Sequence, residues 1–251
     1  MGAEAGPAAE IPVGILCGGR GTRLREQTHA IPKALVEIGG RPILWHVIRI
    51  YAAQGFRRFV LMTGYLGEMI EGFVAGADWP EPITVECLPT GDDTPTGGRV
   101  AAAGERFRDG TFCVTYADGV ADIDLAALLA THAERGGKAT MTVVRPYSQW
   151  GIAVIDERDR IEGFREKPRL DYWINGGFLC LEPEFLELLG PDSVLEGEPL
   201  ERAAAAGELA AYRHEGFWEC MDTYKDAVVL HDLWTAGRAP WRVWSREPAG
   251  A

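Results

Sequence analysis

Val13-Gly14-Ile15-Leu16-Cys17-Gly18-Gly19-Arg20-Gly21-Thr22-Arg23-Leu24 is the stretch on which the fold turns. Residues 13–17 form a short apolar run that stops at two glycines, the pattern of a buried first strand. Gly18, Gly19 and Gly21 let the backbone turn tightly and bring its N–H groups close to an anion. Thr22 adds a hydroxyl and Arg23 a fixed charge, a mixture that suits phosphate oxygens. The spacing is neither GxxxxGK[ST] nor GxGxxG. Taken alone, the loop also reads as an ordinary turn between strand and helix, with Arg20 and Arg23 solvated.

Outward from this loop, strand and helix signals alternate. Ile43, Leu44, Val47, Ile48 and Tyr51 fall at helical spacing within residues 42–54, with Pro42 suited to the first turn and Gly55 to the stop. Strands are expected at 59–62, 83–88 and 111–116, and helices at 65–74 and 99–107, with a Thr/Gly/Asp/Pro loop at 89–97. The second half reads as a helix at 125–134, then strands at 139–144, 151–155, 161–165 and 173–181. Helices near 184–189 and 199–206, a strand at 209–212 and a last helix at 224–234 follow. The expected fold is α/β: a Rossmann-like, mostly parallel mixed sheet with helices on both faces and a small β-rich part. One domain spans 11–251, in two parts of different character, 11–122 and 123–251. Ligands of such sheets sit beyond the carboxyl ends of the strands, where both the Gly-rich loop and Asp118 follow a predicted strand.

Composition narrows the function classes. Lys and Arg total 25 against 37 Asp and Glu, a formal charge of −12, which argues against nucleic acid as a general partner. A small anionic ligand remains compatible if basic residues gather locally. The five cysteines form no CxxC pair, and several sit in apolar runs. They read as buried free thiols of a reducing compartment, with a zinc site disfavoured. MGAEAGPAAE at 1–10 lacks a basic region and an apolar region, so it reads as a loose tail and not as a secretory signal. No apolar run approaches a membrane span, and the expected location is the cytoplasm.

Ten residues beyond Arg23 stands Lys33, after Pro32. The combined stretch GGRGTRLREQTHAIPKALVEIGGRP, Gly18 to Pro42, resembles at every fixed position the signature of the sugar-nucleotidyltransferase family, GGxGTRLxxxTxxxPKxxxxxxxxP. Thr90 to Arg99 (TGDDTPTGGR), Glu37 to His46 (EIGGRPILWH) and Tyr116 to Asp122 (YADGVAD) are similar to segments of the glucose-1-phosphate cytidylyltransferases within that family. So are Glu166-Lys167-Pro168, Ile174 to Phe178 and Gly216 to Thr223. The resemblance runs from Val13 to Trp241 and implies a nucleotide-binding part at 11–122 and a sugar-phosphate-binding part at 123–251. Cys17 stands where Ala is usual, Ala117 replaces a Gly before Asp118, and residues 145–150 and 169–173 differ more.

The resemblance implies transfer of a nucleotidyl group from a nucleoside triphosphate, CTP by subgroup, to a sugar 1-phosphate, by default glucose 1-phosphate, with release of pyrophosphate. A sugar phosphate is already an anion, so the site needs charge neutralisation and alignment and no general base. On that resemblance Arg23 and Lys33 are catalytic, and Gly18, Gly19, Gly21, Thr22, Thr90, Gly91 and Arg99 bind the nucleotide. Lys167, Asn175, Gly176 and Trp218 bind the sugar phosphate, and Asp118 and Asp222 hold Mg²⁺. Their side chains suit these roles: amide for hydroxyls, indole for a sugar face, carboxylates for a hard cation. Plainer readings stand beside them: a solvated Lys33, a turn Asp118, an N-capping Asp222, a core Trp218 and a packing His46. Asp122 and Asp124 read as helix-start residues. The implied partners are the triphosphate and the sugar phosphate, with neither nucleic acid nor membrane, and a homo-oligomer. Trp234 and the 241–244 end pack either on a partner or on the chain's own core. Open alternatives are the same chemistry with another base or sugar, such as GTP with a heptose or cyclitol phosphate, and a non-catalytic regulatory subunit.

Overall fold

The structure is a computed structural model and describes residues 7–21, 31–79 and 82–245. In chain order its strands are β1 (Pro12–Leu16), β2 (Glu37–Ile38), β3 (Arg41–Pro42), β4 (Arg58–Thr63), β5 (Thr84–Pro89), β6 (Phe112–Tyr116) and β7 (Gly119–Ala121). The second half adds β8 (Ala139–Val144), β9 (Ile152–Ile155), β10 (Ile161–Arg165), β11 (Ile174–Leu181), β12 (Leu209–His214) and β13 (Trp218–Cys220). The α-helices are α1 (Ile43–Ala52), α2 (Gly67–Gly76), α3 (Thr96–Ala102), α4 (Leu125–Arg135), α5 (Glu198–Ala205) and α6 (Tyr224–Thr235).

Seven strands join in one sheet in the order β12-β8-β11-β6-β1-β4-β5, and within it β11 alone runs antiparallel to its neighbours. The chain leaves β1 towards β4 and β5, then returns to place β6 on the other side of β1. That reversal opens a crevice at the carboxyl ends of β1 and β6, where α/β sheets bind ligands.

Both faces of the sheet are buried, as continuous apolar strands require. Phe59 and Leu61 of β4 face one core layer with Val13, Ile15, α1 and Leu128 of α4, whereas Val60 and Met62 face the other with Val100, Phe107, Phe112 and Leu200. This is the period-2 alternation of a strand covered on two sides.

Helix α1 is buried at all ten positions. Its spacing suggested an amphipathic helix with one wet face, but α6 and the end of the chain cover that face. Trp241 is fully buried, and Trp234, Trp244 and Trp45 pack around His46 with ring centroids 4.6–6.4 Å apart. The aromatic end therefore closes the chain's own core. His46 Nε2 lies 2.9 Å from the Ile38 carbonyl, and Trp241 Nε1 donates to its Nδ1 at 3.3 Å. A Trp nitrogen only donates, so Nδ1 accepts and the imidazole is neutral. Burial pushes its pKa down to about 4.

Other expectations shift in detail. Residues 7–10 belong to the body and not to a loose tail: Pro7–Ala9 form a 3-10 turn with Ala9 buried. The helix expected at 99–107 begins earlier, at Thr96, and ends at Ala102, before a separate 3-10 turn at Gly104–Arg106. The segment near 184–189 is a 3-10 helix over Pro183–Leu188. Cys17, Cys113 and Cys180 are buried free thiols, while Cys87 and Cys220 are half-exposed. No described helix is long and apolar enough to cross a membrane.

Candidate active site

The crevice between β1 and β6 holds a cavity of about 500 Å³. Gly18, Gly19 and Gly21 line one side, Thr94, Pro95, Thr96 and Arg99 a second, and Lys33, Tyr116, Ala117, Asp118 and Asp222 the floor. Thr22 and Arg23 lie outside the described residues.

Asp118 and Asp222, 104 positions apart by number, meet because of a ladder too short to read from sequence. β7 pairs antiparallel with β13, with Gly119 opposite Cys220, and the Met221 amide donates to the Asp118 carbonyl at 2.9 Å. The two carboxylates therefore flank one end of this ladder. Asp222 is not the N-cap of α6. Thr223 is, in a capping box with Asp226, whose carboxylate accepts from the Thr223 amide at 2.7 Å and the Asp222 amide at 3.1 Å. The cap fixes where the helix starts and directs the Asp222 side chain to another use. Of the other two acids, Asp124 caps α4 through the Ala127 amide at 2.9 Å. Asp122 does not start the helix. It accepts from the Phe217 amide at 2.7 Å and lies 3.2 Å from His214 Nε2.

Lys33 joins the pair. Its ammonium donates to Asp118 Oδ2 at 2.6 Å and to Asp222 Oδ1 at 2.8 Å. Pro32, extended at φ −65°, delivers it on a 3-10 turn at Lys33–Leu35. Burial works against the ammonium's charge, but Asp118, with Asp222, outweighs it and holds the pKa above the ordinary lysine value. Cys220 completes the group: one donor atom each of Asp118, Cys220 and Asp222 lies within 4.8 Å of the others. Burial and the two carboxylates push the Cys220 thiol up, so it stays protonated here.

Arg99 is only 4% exposed, and its guanidinium works as a staple. It donates to the carbonyls of Gly18 (2.9 Å), Thr63 (3.0 Å), Gly91 (2.8 Å) and Asp92 (3.2 Å), and to the Thr90 hydroxyl (2.6 Å). The Thr90 hydroxyl in turn donates to the Thr63 carbonyl at 2.7 Å. The Gly-rich loop and the 90–92 turn are thereby locked to each other. Gly18 is required by this contact, since a Cβ there would stand 2.1 Å from Arg99 Nη1. Above the staple, Arg20 pairs with Asp93 at 3.0 Å and lies over the Tyr65 ring, an exposed tie across the mouth.

The residues expected at the sugar phosphate are placed unevenly. Asn175 donates to the Tyr116 hydroxyl at 3.3 Å, and Trp218 donates through its indole nitrogen to the Gly176 carbonyl at 2.8 Å. They connect to one another behind Tyr116 and are not themselves among the residues that line the cavity. Lys167 does not line the cavity. It follows β10 at φ +45°, half-exposed, with Glu166 at 3.7 Å. The 145–173 region is pinned at its foot, where Arg145 and Arg169 both pair with Glu215, at 3.0 and 3.1 Å. Tyr147 and Trp150, 71% and 73% exposed, point into solvent. Glu196 was not anticipated: it accepts from the Tyr116 hydroxyl and, at 2.6 Å, from Thr96, and so links the two walls of the cavity. No sequence signal marks it, because its role depends on a loop folding back from 100 positions away.

The arrangement puts backbone N–H groups, the Lys33 ammonium, the Arg99 guanidinium and two carboxylates around a space fit for phosphates, with no Ser–His or Cys–His pair among the lining residues. A family model for nucleotidyl transferases matches residues 13–224. The chain is 40% identical to the glucose-1-phosphate cytidylyltransferase of Salmonella typhi, over 92% of this chain and 98% of that protein. It has the same identity and coverage with the "Probable glucose-1-phosphate cytidylyltransferase" of Bacillus subtilis strain 168. Among solved structures, HddC from Yersinia pseudotuberculosis complexed with GMP-PN superposes with a TM-score of 0.71 at 21% identity, over 89% of this chain and 99% of that one.

Proposed function

The chain belongs to the nucleotidyl transferase family, and from that membership we propose that it transfers a cytidylyl group from CTP to glucose 1-phosphate, giving CDP-glucose and pyrophosphate. It is a sugar-phosphate nucleotidyltransferase. The observation that carries the reading is the Lys33 ammonium held between Asp118 and Asp222 on the floor of a cavity roofed by the Gly-rich loop.

The reaction is an in-line displacement at the α-phosphorus, in which a sugar phosphate oxygen attacks and pyrophosphate leaves. Its barrier is dominated by bringing two polyanions together. The amides of Gly18, Gly19 and Gly21 receive the triphosphate, and Arg99 keeps that loop in shape by holding the Gly18 carbonyl. Lys33 neutralises charge on the transferred phosphate. Asn175, Gly176 and Trp218 position the sugar, and Lys167 binds its phosphate.

A divalent cation, Mg²⁺ in this reading, would be held by Asp118 and Asp222. The fit is testable on the donor set: two converging carboxylates already share a cation, the ammonium, and oxygen ligands suit a hard ion. When bound, that ion would supply charge to the phosphate oxygens. The enzyme is further proposed to act as a homo-oligomer in the cytoplasm.

Pyrophosphate release from four triphosphates against a set of sugar 1-phosphates tests the proposal. CTP with glucose 1-phosphate is expected to be the best pair. GTP in place of CTP would overturn the base assignment, and no release from any pair would overturn the whole.

A further inference from the structure

Cys220 lies within the donor cluster of Asp118 and Asp222, yet nothing in the displacement calls for sulfur. Its position is fixed by the backbone: it ends β13, opposite Gly119, between the strand pair that carries Asp118 and the cap that precedes α6. Its sulfur lies within 4.8 Å of a carboxylate oxygen of Asp118 and one of Asp222. Cys17 lines the cavity, but its sulfur is turned to the Met62 carbonyl at 3.5 Å; Cys220 lies behind the lining, beside Asp118 and Asp222. Hard cations bind oxygen and leave thiols alone, whereas softer divalent ions select thiolate sulfur.

We propose that Cys220 is a third, soft donor at the cation position, so that the site takes thiophilic divalent ions such as Cd²⁺ and Zn²⁺ on sulfur as well as on the two carboxylates. The proposal rests on the reading of Asp118 and Asp222 as cation ligands. Binding breaks the S–H bond and forms a sulfur–metal bond; the proton leaves to solvent and no oxidation state changes. Mg²⁺ gains nothing from the thiol. Cys220 is thus a selectivity determinant: it tilts the site towards soft ions in a way that two carboxylates alone would not.

The test is Cd²⁺ binding to the full chain, followed by ultraviolet difference absorption and calorimetry. A sulfur-to-cadmium charge-transfer band is expected in the wild type and is expected to vanish in Cys220→Ser and Cys220→Ala. Cd²⁺ affinity should fall at least about tenfold in both variants, the scale on which changes around a metal act, while Mg²⁺ affinity moves less. A band that survives both substitutions, or an equal loss for the two ions, would overturn the proposal. Cadmium NMR of the wild type needs no variant: a resonance of sulfur-ligated cadmium supports the assignment, and one of all-oxygen cadmium overturns it. Mg²⁺-dependent pyrophosphate release by the wild type tests the underlying reading separately. With release intact, an all-oxygen cadmium signal removes the Cys220 role alone.

Discussion

Lys33 Nζ stands 2.6 Å from Asp118 Oδ2, so that a residue from the family signature and one from the turn between β6 and β7 form a single charged unit on the cavity floor. The same ammonium reaches Asp222 at 2.8 Å. Lys33→Ala removes the charge proposed to neutralise the transferred phosphate and leaves two facing carboxylates. Turnover is expected to fall by about 10²–10³, the usual cost of losing one electrostatic contact to a transition state. Steady-state kinetics, with circular dichroism to show a retained fold, checks this. An unfolded variant would instead make Lys33 a structural residue.

Arg99→Lys tests the staple. A single ammonium cannot replace a planar fork that serves four carbonyls and a hydroxyl. Stability is expected to drop by about 2 kcal/mol or more, because buried acceptors lose their donors. KM for the triphosphate is expected to rise about tenfold, equivalent to about 1.4 kcal/mol of binding. Gly18→Ala should do the same from the other side of the contact, since its Cβ would collide with the guanidinium. Urea unfolding and kinetics measure both; an unchanged KM in both variants would refute the staple.

How far the sequence led differs by region. The β1–loop unit, the alternating elements through β6 and the ends of β8 and β10 were legible, because apolar runs bounded by glycines leave little choice of structure. The meeting of Asp118 with Asp222 was not derivable from spacing, since it depends on the three-residue ladder of β7 with β13, which has no periodicity of its own. Glu196 was missed because it acts through a long-range contact from a segment with no motif, whereas Cys220, inside the Gly216 to Thr223 segment, was read only as a buried free thiol. Arg99 was expected beside the nucleotide, and only the geometry reveals that its donors go to the backbone. The burial of α1 was hidden because the covering aromatics lie some 190 positions later, as the Trp241 to His46 contact shows.

His46 makes stability fall with acid. Its pKa is about 4 in the folded protein and 6.5 when exposed, so between these values the unfolded chain binds more protons. Its contribution is fully present above pH 6.5 and is lost as pH falls towards 4, on the order of 3 kcal/mol in all. Denaturant unfolding at several pH values should show this slope, and His46→Gln should flatten it. An equal slope in the variant would assign the acid sensitivity to other groups.

Trp241→Ala removes a fully buried indole that stacks on Phe217 at 5.5 Å and donates to His46. A loss of about 3–5 kcal/mol is expected from the cavity and the orphaned imidazole nitrogen. A midpoint change of that size in urea, with the slope unchanged, supports a core role for the aromatic end. A change under about 0.5 kcal/mol, typical of surface positions, would show that it contributes nothing to the core.

One site is proposed to join a cytidylyl group to a sugar phosphate. Phosphorus NMR of a mixture of CTP, glucose 1-phosphate, Mg²⁺ and the protein follows every phosphorus at once. CDP-glucose and pyrophosphate are expected to appear together in equal amounts as CTP and glucose 1-phosphate disappear. Pyrophosphate without a sugar nucleotide, or no change in either substrate, would contradict that proposal.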